Sequence, residues 1–223
     1  MYSNDCSQGA PVALVTASMK LKWILYGDGK GSFKTTVIST GLGTHEGRLS
    51  DLDGDGDLDV LSASTWDDAI LWYENTDGRG TLGEENVISL GADYTNSVHA
   101  ADMDGDGDMD VFIGSRSVVG IYGVNPDHLL LENTGNGEFR NATERVANDL
   151  KDAGMVTGAV WADVDGDGKK DLVVTTDWGS PKVYRNNGRR ISKLNTSLDS
   201  LHGWWTTVAT ADIDKDGDQD LIL

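Results

Sequence analysis

Four stretches of the chain carry aspartates on alternate residues, a spacing that suits a hard metal ion. Each stretch reads D-x-D-x-D-G-x-x-D, and the copies begin at Asp51, Asp102, Asp163 and Asp212. Ca²⁺ takes about six to eight oxygen ligands, which inward-turned carboxylates and a backbone carbonyl can supply when a glycine allows the sharp bend. The pattern therefore predicts four loops that bind about four Ca²⁺ ions.

The predicted ligands occupy five positions of each loop. The first, third, fifth and ninth residues act through their side chains, and the seventh acts through its backbone carbonyl. The side-chain ligands are Asp51, Asp53, Asp55, Asp59, Asp102, Asp104, Asp106, Asp110, Asp163, Asp165, Asp167, Asp171, Asp212, Asp214, Asp216 and Asp220. The carbonyl ligands are Asp57, Asp108, Lys169 and Asp218.

The residues around these loops distinguish them from EF-hands. An EF-hand loop needs an acidic residue at its twelfth position. The twelfth residues here are Ser62, Ile113, Val174 and Leu223. Each loop is followed by a short apolar run rich in β-branched residues, such as Leu172-Val173-Val174, which is typical of a strand rather than a helix. We therefore expect each loop to join two strands.

The composition places the chain among globular proteins and explains its charge. Of the 223 residues, 38% are hydrophobic, and the net charge is -19. The four loops contain 19 of the 37 acidic residues, five in every loop except the third, which has four. The acidity is thus mostly metal-site acidity, and it argues against nucleic acid as a partner. No apolar run approaches the roughly 18 residues of a membrane span, so we expect no membrane insertion.

The loops recur at spacings of 51, 61 and 49 residues, which indicates a repeat architecture. Apolar segments between the loops align as further strands, for example Ile70–Asn75 with Leu129–Asn133, and Gly-rich turns follow them. The residues before Asp51 match the same template without its loop. We predict an all-β fold with blades of four antiparallel strands in about four repeats. The predicted organisation is a single repeat domain over 1–223, with approximate units 1–47, 48–98, 99–158 and 159–208, and a further unit beginning in 209–223.

The Asp loops, together with the strands Trp72-Tyr73-Glu74-Asn75 and Leu130-Leu131-Glu132-Asn133, resemble FG-GAP/VCBS repeats. The resemblance covers nearly the whole chain and implies a β-propeller with calcium loops, as in integrin-like heads and many secreted bacterial proteins. Such propellers often have seven or eight blades, so we expect this chain to form a partial, open one. Three features depart from the family pattern: the first unit lacks a loop, Lys169-Lys170 lies in the third loop, and Lys215 replaces a glycine in the fourth.

Loops on the face opposite the calcium loops are the predicted place for a ligand, because binding residues concentrate on loops of a rigid scaffold. This face is expected to include the insertion at 115–127, with His45, Tyr94 and Trp204. Exposed tryptophans beside carboxylates suit sugar rings, and the favoured ligand-binding residues are Trp66, Asp67, Trp178, His202 and Trp205. The alternative is that these tryptophans pack between blades as part of the core.

The predicted function is a calcium-binding scaffold for binding or adhesion, with a glycan or a protein as its ligand. The alternative is a propeller-type enzyme, such as a polysaccharide lyase or a sugar dehydratase. We predict no catalytic residues, since the four histidines are scattered and neither H-E-x-x-H nor G-x-S-x-G occurs. Low-affinity calcium modules work at extracellular calcium concentrations, so we expect a secreted, periplasmic or cell-surface location. The chain is expected to be part of a longer protein that carries the signal peptide.

Overall fold

The fold is defined by a computed structural model that describes residues 13–18, 21–28, 30–39, 44–64, 68–92, 94–118, 120–135 and 137–223. These residues form antiparallel sheets that follow one another along the chain. The first sheet contains β1 (Ala13–Ser18), β2 (Leu21–Gly27) and β3 (Phe33–Ser39). The second contains β4 (Thr44–Ser50), β5 (Asp59–Ser64), β6 (Ala69–Asn75) and β7 (Leu82–Ser89).

The third and fourth sheets repeat the four-stranded arrangement of the second. The third contains β8 (Thr95–Ala101), β9 (Asp110–Ser115), β10 (Leu129–Asn133) and β11 (Phe139–Asn141). The fourth contains β12 (Met155–Ala162), β13 (Asp171–Asp177), β14 (Lys182–Asn186) and β15 (Ile191–Leu194). A two-stranded sheet of β16 (Ala209–Ala211) and β17 (Asp220–Ile222) follows.

Helical structure in the described residues is confined to short connections. The helix α1 (Thr143–Val146) and two 3₁₀ turns, Asn148–Asp152 and Ser197–Ser200, lie in the segments that link one sheet to the next. Val146 and Leu150 from the first of these links are buried in the core between the third and fourth sheets. Within the described part of the chain, no helix has both the length and the apolar character needed to cross a bilayer.

The hydrophobic cores lie between adjacent sheets, which explains why the central strands are apolar on both faces. Successive side chains of a strand point to opposite sides of its sheet. Val60 accordingly packs toward the first sheet, whereas Leu61 packs toward the third. Likewise, Leu172 joins the core with the third sheet, and Val173 joins the core with the last sheet. Each four-stranded sheet is therefore a blade enclosed by its neighbours.

The sheets form an open, partial propeller, as predicted. The strand that precedes each Asp loop lies against its equivalent in the neighbouring sheet: β4 contacts β8, β8 contacts β12, and β12 contacts β16. Among the described strands, those of the first sheet pair only with one another, and the same holds for β16 and β17. No shared sheet therefore joins the two ends of the chain in this part of the structure.

The four-stranded sheets begin at Thr44, Thr95 and Met155, four residues before the predicted starts of their units at 48, 99 and 159. Within the described residues, the first sheet has three strands. The long connection between β9 and β10 contains the predicted insertion. The division of the chain into one domain with these units stays a prediction.

Candidate metal centres

Each Asp loop joins the first and second strands of its sheet, and three of its carboxylates meet at one point. The oxygen atoms that these three residues can offer to a metal ion lie within 4.8 Å of one another in every loop. The converging residues are Asp51, Asp53 and Asp59 in the first loop, Asp102, Asp104 and Asp110 in the second, Asp163, Asp165 and Asp171 in the third, and Asp212, Asp214 and Asp220 in the fourth. The first, third and ninth positions therefore form an oxygen-rich cluster four times.

The fifth and seventh positions contribute differently from the other three. The carboxylates at the fifth position, Asp55, Asp106, Asp167 and Asp216, lie outside the converging groups. Each accepts a hydrogen bond from the backbone amide two residues later, at 2.8 Å for Asp55 and 3.0 Å for Asp216. The structure thus brings together three of the four predicted carboxylates. The full ligand set, including Asp55 and the carbonyl oxygen of Asp57, stays a prediction.

Backbone amides preform the loop around its first carboxylate. The Asp51 side chain accepts hydrogen bonds from the amides of Gly54 at 2.9 Å and Gly56 at 3.0 Å. Both glycines have a positive φ, +78° and +94°, which a residue without Cβ adopts at little cost. Asp163 makes the same pair of contacts in the third loop, each at 2.8 Å. These bonds hold the carboxylate in place and offset part of its charge.

In the first three loops the ninth carboxylate is buried and anchors the loop to its sheet. The two side-chain oxygens of Asp110 accept hydrogen bonds from the amides of Met103 and Asn133, both at 2.9 Å. Asp59 binds the amides of Leu52 and Asn75 in the same way. Burial raises the pKa of Asp59 to about 6 and that of Asp110 to about 7, although the amide hydrogen bonds oppose the shift. A bound cation would favour the ionised form of these groups.

In the third and fourth sheets, the asparagine at the end of the third strand links a loop of the preceding sheet to its own sheet, a role that the sequence interpretation missed. The Asn133 side chain donates to the Leu52 carbonyl of the second sheet at 2.8 Å. The Asn186 side chain donates in the same way to the Met103 carbonyl of the third sheet, at 2.7 Å. The recurring Glu-Asn and Arg-Asn pairs of the third strands were the available signal. Asn133 and Asn186 are therefore named the asparagine clasp.

Two basic side chains form ion pairs with carboxylates of the third loop. The Arg185 Nε atom lies 2.5 Å from Asp165, and the Lys169 Nζ atom lies 3.2 Å from Asp167. The amide and ammonium groups of Lys169 both lower the pKa of Asp167. Because Asp165 belongs to the converging group, Arg185 would compete there with a metal ion. The Lys169-Lys170 departure noted in the sequence thus has an electrostatic consequence.

The face opposite the Asp loops contains an exposed group of aromatic side chains. The predicted ligand-binding residues on this face differ in how far they are exposed to solvent. Trp178 and Trp204 are 65% and 56% exposed, and their ring centroids lie 4.9 Å apart. His202 is exposed close by. Trp205 is half-buried, and its Nε1 atom donates to the Gly179 carbonyl at 3.1 Å. Trp66, Asp67 and the side chain of His45 lie outside the described residues.

The insertion reaches this aromatic group through Tyr122, which the predicted ligand-binding residues omit. The Trp178 Nε1 atom donates to the Tyr122 hydroxyl at 3.0 Å. The hydroxyl in turn donates to Asp177 at 3.2 Å, and Arg116 pairs with the same carboxylate oxygen at 2.8 Å. The exposed side chains of Tyr122, Trp178 and Trp204 are named the aromatic platform.

The fold and the four loops together define a class of protein: a β-propeller built from repeats with an Asp-rich loop between the first two strands. The FG-GAP-like repeat family model matches residues 51–113, 118–174 and 163–223. The chain belongs to this family, which confirms the predicted resemblance. The matches begin at or near an Asp loop in the first and third cases, so they follow the repeat seen in the sheets.

The chain is also similar to proteins of known structure. The crystal structure of the V. cholerae biofilm matrix protein Bap1 is similar to the chain, with a TM-score of 0.49 and 17% sequence identity. The similarity covers 98% of this chain and 33% of that chain, so this chain spans about a third of the length of Bap1. A search of curated protein sequences found no significant match.

Proposed function

We propose that the chain is a calcium-stabilised repeat scaffold for binding or adhesion at the cell surface, in the periplasm or outside the cell. Its Asp loops bind Ca²⁺, and the aromatic platform on the opposite face binds a saccharide. The repeat architecture is established by the family match and the sheets. The identity of the metal, the ligand and the location are the proposed parts.

Calcium is the proposed metal because the loops offer many oxygen atoms in a flexible frame. Three converging carboxylates per loop, with a fourth two residues away and backbone carbonyls, suit a large cation with a variable shell. Mg²⁺ demands a near-ideal octahedron and retains several waters, so it fits such a loop less well. Calorimetric titration should show Ca²⁺ binding at several sites, with weaker binding of Mg²⁺. Equal affinities for the two ions would contradict this choice.

The observation that supports a ligand on the opposite face is the construction of the aromatic platform. Trp178 adopts φ +55°, a left-handed conformation that is a steric outlier for a bulky side chain. Such backbone strain persists only where the surroundings fix it, and it concentrates at functional sites. Here Tyr122 holds the Trp178 indole by a hydrogen bond, and buried Asp177 holds Tyr122. A strained, anchored tryptophan is thus kept exposed to solvent.

A saccharide is the ligand that this chemistry favours. The C–H groups of a pyranose ring carry partial positive charge and pack against the electron-rich face of an indole. Arg116 is partly exposed, and its Nε atom pairs with the fully buried Asp177. This ion pair orients the remaining guanidinium N–H groups of Arg116. It also balances the arginine charge. An uncharged sugar therefore meets stacking surfaces and hydrogen-bond donors at the same place.

A glycan array probed with the protein in calcium, followed by titration of a bound glycan, tests the saccharide part. Trp178→Ala and Trp204→Ala should each lower the affinity at least tenfold. Phe33→Ala is the matched control, because Phe33 is also an exposed aromatic residue but lies in the first sheet. Unchanged affinity in both tryptophan variants would contradict saccharide binding at the aromatic platform. An array on which no glycan binds would contradict the saccharide part of the proposal, whereas the calcium part is tested by the titration with Ca²⁺ and Mg²⁺.

A further inference from the structure

A cleft on the same face as the Asp loops lies between the third and fourth sheets. Its volume is about 370 Å³, which is in the usual range for small-molecule sites. The side chains and turn that line it include Asp104, Arg145, Asn186, Gly188, Arg189 and Arg190. Three arginines thus surround one cavity in a chain whose net charge is -19.

The turn between β14 and β15 holds two of these arginines at the cleft. The Asn187 side chain accepts hydrogen bonds from the amides of Arg189 at 3.0 Å and Arg190 at 2.9 Å. Both arginines are exposed, and among the described residues neither forms an ion pair. Their backbone positions are therefore fixed, whereas their guanidinium groups are available to a ligand.

The third arginine is only partly neutralised. Arg145 forms an ion pair with Glu132, and Arg140 pairs with the same Glu132 oxygen at 2.7 Å. One carboxylate is thus shared between two guanidinium groups. This side of the cleft keeps a positive charge that faces the turn with Arg189 and Arg190.

We propose that this cleft binds an oxyanion group of a small molecule, either the carboxylate of an acidic saccharide or a free inorganic oxyanion. The planar guanidinium group of an arginine matches the geometry of carboxylate and phosphate oxygens and can bind two of them at once. A long polyanion fits poorly, because Asp loops with a strong negative charge border the cleft on the same face. The site therefore recognises one compact anionic group, and it is separate from the aromatic platform.

Asp104 opposes the ligand unless a cation offsets its charge. This residue both lines the cleft and belongs to the converging group of the second Asp loop. A cation held by that group would add positive charge beside the bound anion. Binding should therefore be tighter in calcium than in EGTA, and by linkage the anion should also tighten calcium binding.

Calorimetric titration with sodium glucuronate, sodium phosphate and uncharged methyl glucoside tests the proposal in calcium and in EGTA. The Arg189→Gln/Arg190→Gln double variant should lose at least tenfold in affinity for whichever anion binds. Arg79→Gln is the matched control, because Arg79 lies in the corresponding turn of the second sheet, between β6 and β7. Melting midpoints equal to that of the unchanged protein would show that the variants are folded.

The three ligands distinguish the source of the oxyanion. Binding of glucuronate alone identifies a saccharide carboxylate, and binding of phosphate with the same dependence on arginine identifies a free oxyanion. Binding of methyl glucoside as tight as that of glucuronate would overturn the proposal. So would full affinity in the double variant, failure of both anions to bind, or weaker binding in calcium than in EGTA.

Discussion

The second and fourth Asp loops share one sequence pattern but differ in their surroundings. Met103, the second residue of the second loop, is 6% exposed, whereas its equivalent Ile213 in the fourth loop is 63% exposed. Asn186 of the fourth sheet binds the Met103 carbonyl and covers the second loop from the neighbouring blade. The fourth loop has no such asparagine among the described residues.

The two loops also differ in the burial and hydrogen bonding of their ninth carboxylates, Asp110 and Asp220. Asp110 is 1% exposed and accepts amide hydrogen bonds at both oxygens, whereas Asp220 is half-buried and accepts one from Ile213 at 2.8 Å. Both loops nevertheless bring three carboxylates within 4.8 Å. The carboxylate cluster is therefore a local property of nine residues, and its burial depends on the next sheet.

Removal of calcium should have the largest effect on stability, because every loop, buried or exposed, then holds unneutralised carboxylates close together. Two like charges at about 4 Å repel by ~1 kcal/mol in water and by ~4 kcal/mol at an effective dielectric constant of 20. A site that binds only the folded chain stabilises it by about 2.7 kcal/mol when calcium is at a hundredfold excess over Kd. We expect EGTA to lower the melting temperature sharply and added calcium to restore it.

Single-site variants show whether the loops account for that effect. Asp104→Ala should remove part of the gain from calcium, because Asp104 belongs to a converging group. Asp28→Ala should not, since Asp28 lies between β2 and β3 of the first sheet, which has no Asp loop. A melting curve that does not respond to EGTA would refute a structural role for calcium.

Disruption of the asparagine clasp should have the next largest effect. Asn186→Ala removes the hydrogen bonds to the buried Met103 carbonyl and to the Lys170 carbonyl, so we expect a loss of about 3 kcal/mol in unfolding free energy. Asn75→Ala should cost about 1 kcal/mol, because in the described residues the Asn75 side chain donates only within its own sheet, to Leu58 at 3.3 Å. Denaturant unfolding in calcium measures both values, and equal losses would contradict a clasp between sheets.

The pH dependence of the metal-free protein should reveal the buried anchors. The pKa values of Asp59 and Asp110 are raised in the folded state to about 6 and about 7. Their stabilising contribution is therefore complete below the unfolded pKa of about 4 and is lost as the pH rises through 6 and 7. In EGTA we expect the unfolding free energy to fall as the pH rises, by about 1.4 kcal/mol per pH unit for each group between its unfolded and its folded pKa.

Asp110→Asn tests the source of that slope, because an amide cannot titrate. The variant should flatten the upper part of the profile, whatever its absolute stability. In calcium we expect the opposite pH dependence: the unfolding free energy should fall as the pH is lowered, because protons compete with the metal for the carboxylates. An unchanged slope in Asp110→Asn would show that this carboxyl group is not responsible.

The smallest effect is expected from Lys215→Gly in the exposed fourth loop. Lys215 has φ +64°, at the position where Gly54 and Gly105 occur in the first two loops. Relief of the left-handed strain is partly offset by the greater freedom of glycine in the unfolded chain, so we expect a gain of about 0.5 kcal/mol. Lys30→Gly is the control, because the Lys30 backbone is not left-handed and its replacement should give no gain. Equal changes in melting temperature would contradict the assignment of strain.

The repeated strands and the Asp loops could be predicted from the sequence because each is specified by residues that lie close together in the chain. Alternate aspartates with a glycine bend place Asp102, Asp104 and Asp110 together within nine residues, and the apolar runs that follow become strands. The convergence of three carboxylates, rather than four, could not be read from spacing. The fifth carboxylate instead accepts a hydrogen bond from an amide of its own loop, as Asp106 does at 2.9 Å from Asp108.

Contacts between distant residues were decided only by the tertiary structure. The sequence placed Trp204 and Trp205 side by side on the binding face, and the structure exposes Trp204 against Trp178 while Trp205 is half-buried. Neighbouring residues of an extended chain point in opposite directions, so a shift of one residue exchanges which of them faces solvent. The bond from Asn186 to Met103 likewise spans 83 residues. The sequence by itself determined the nine-residue loops and their repeat, whereas the packing of one sheet on the next determined which loops are buried and which side chains meet across blades.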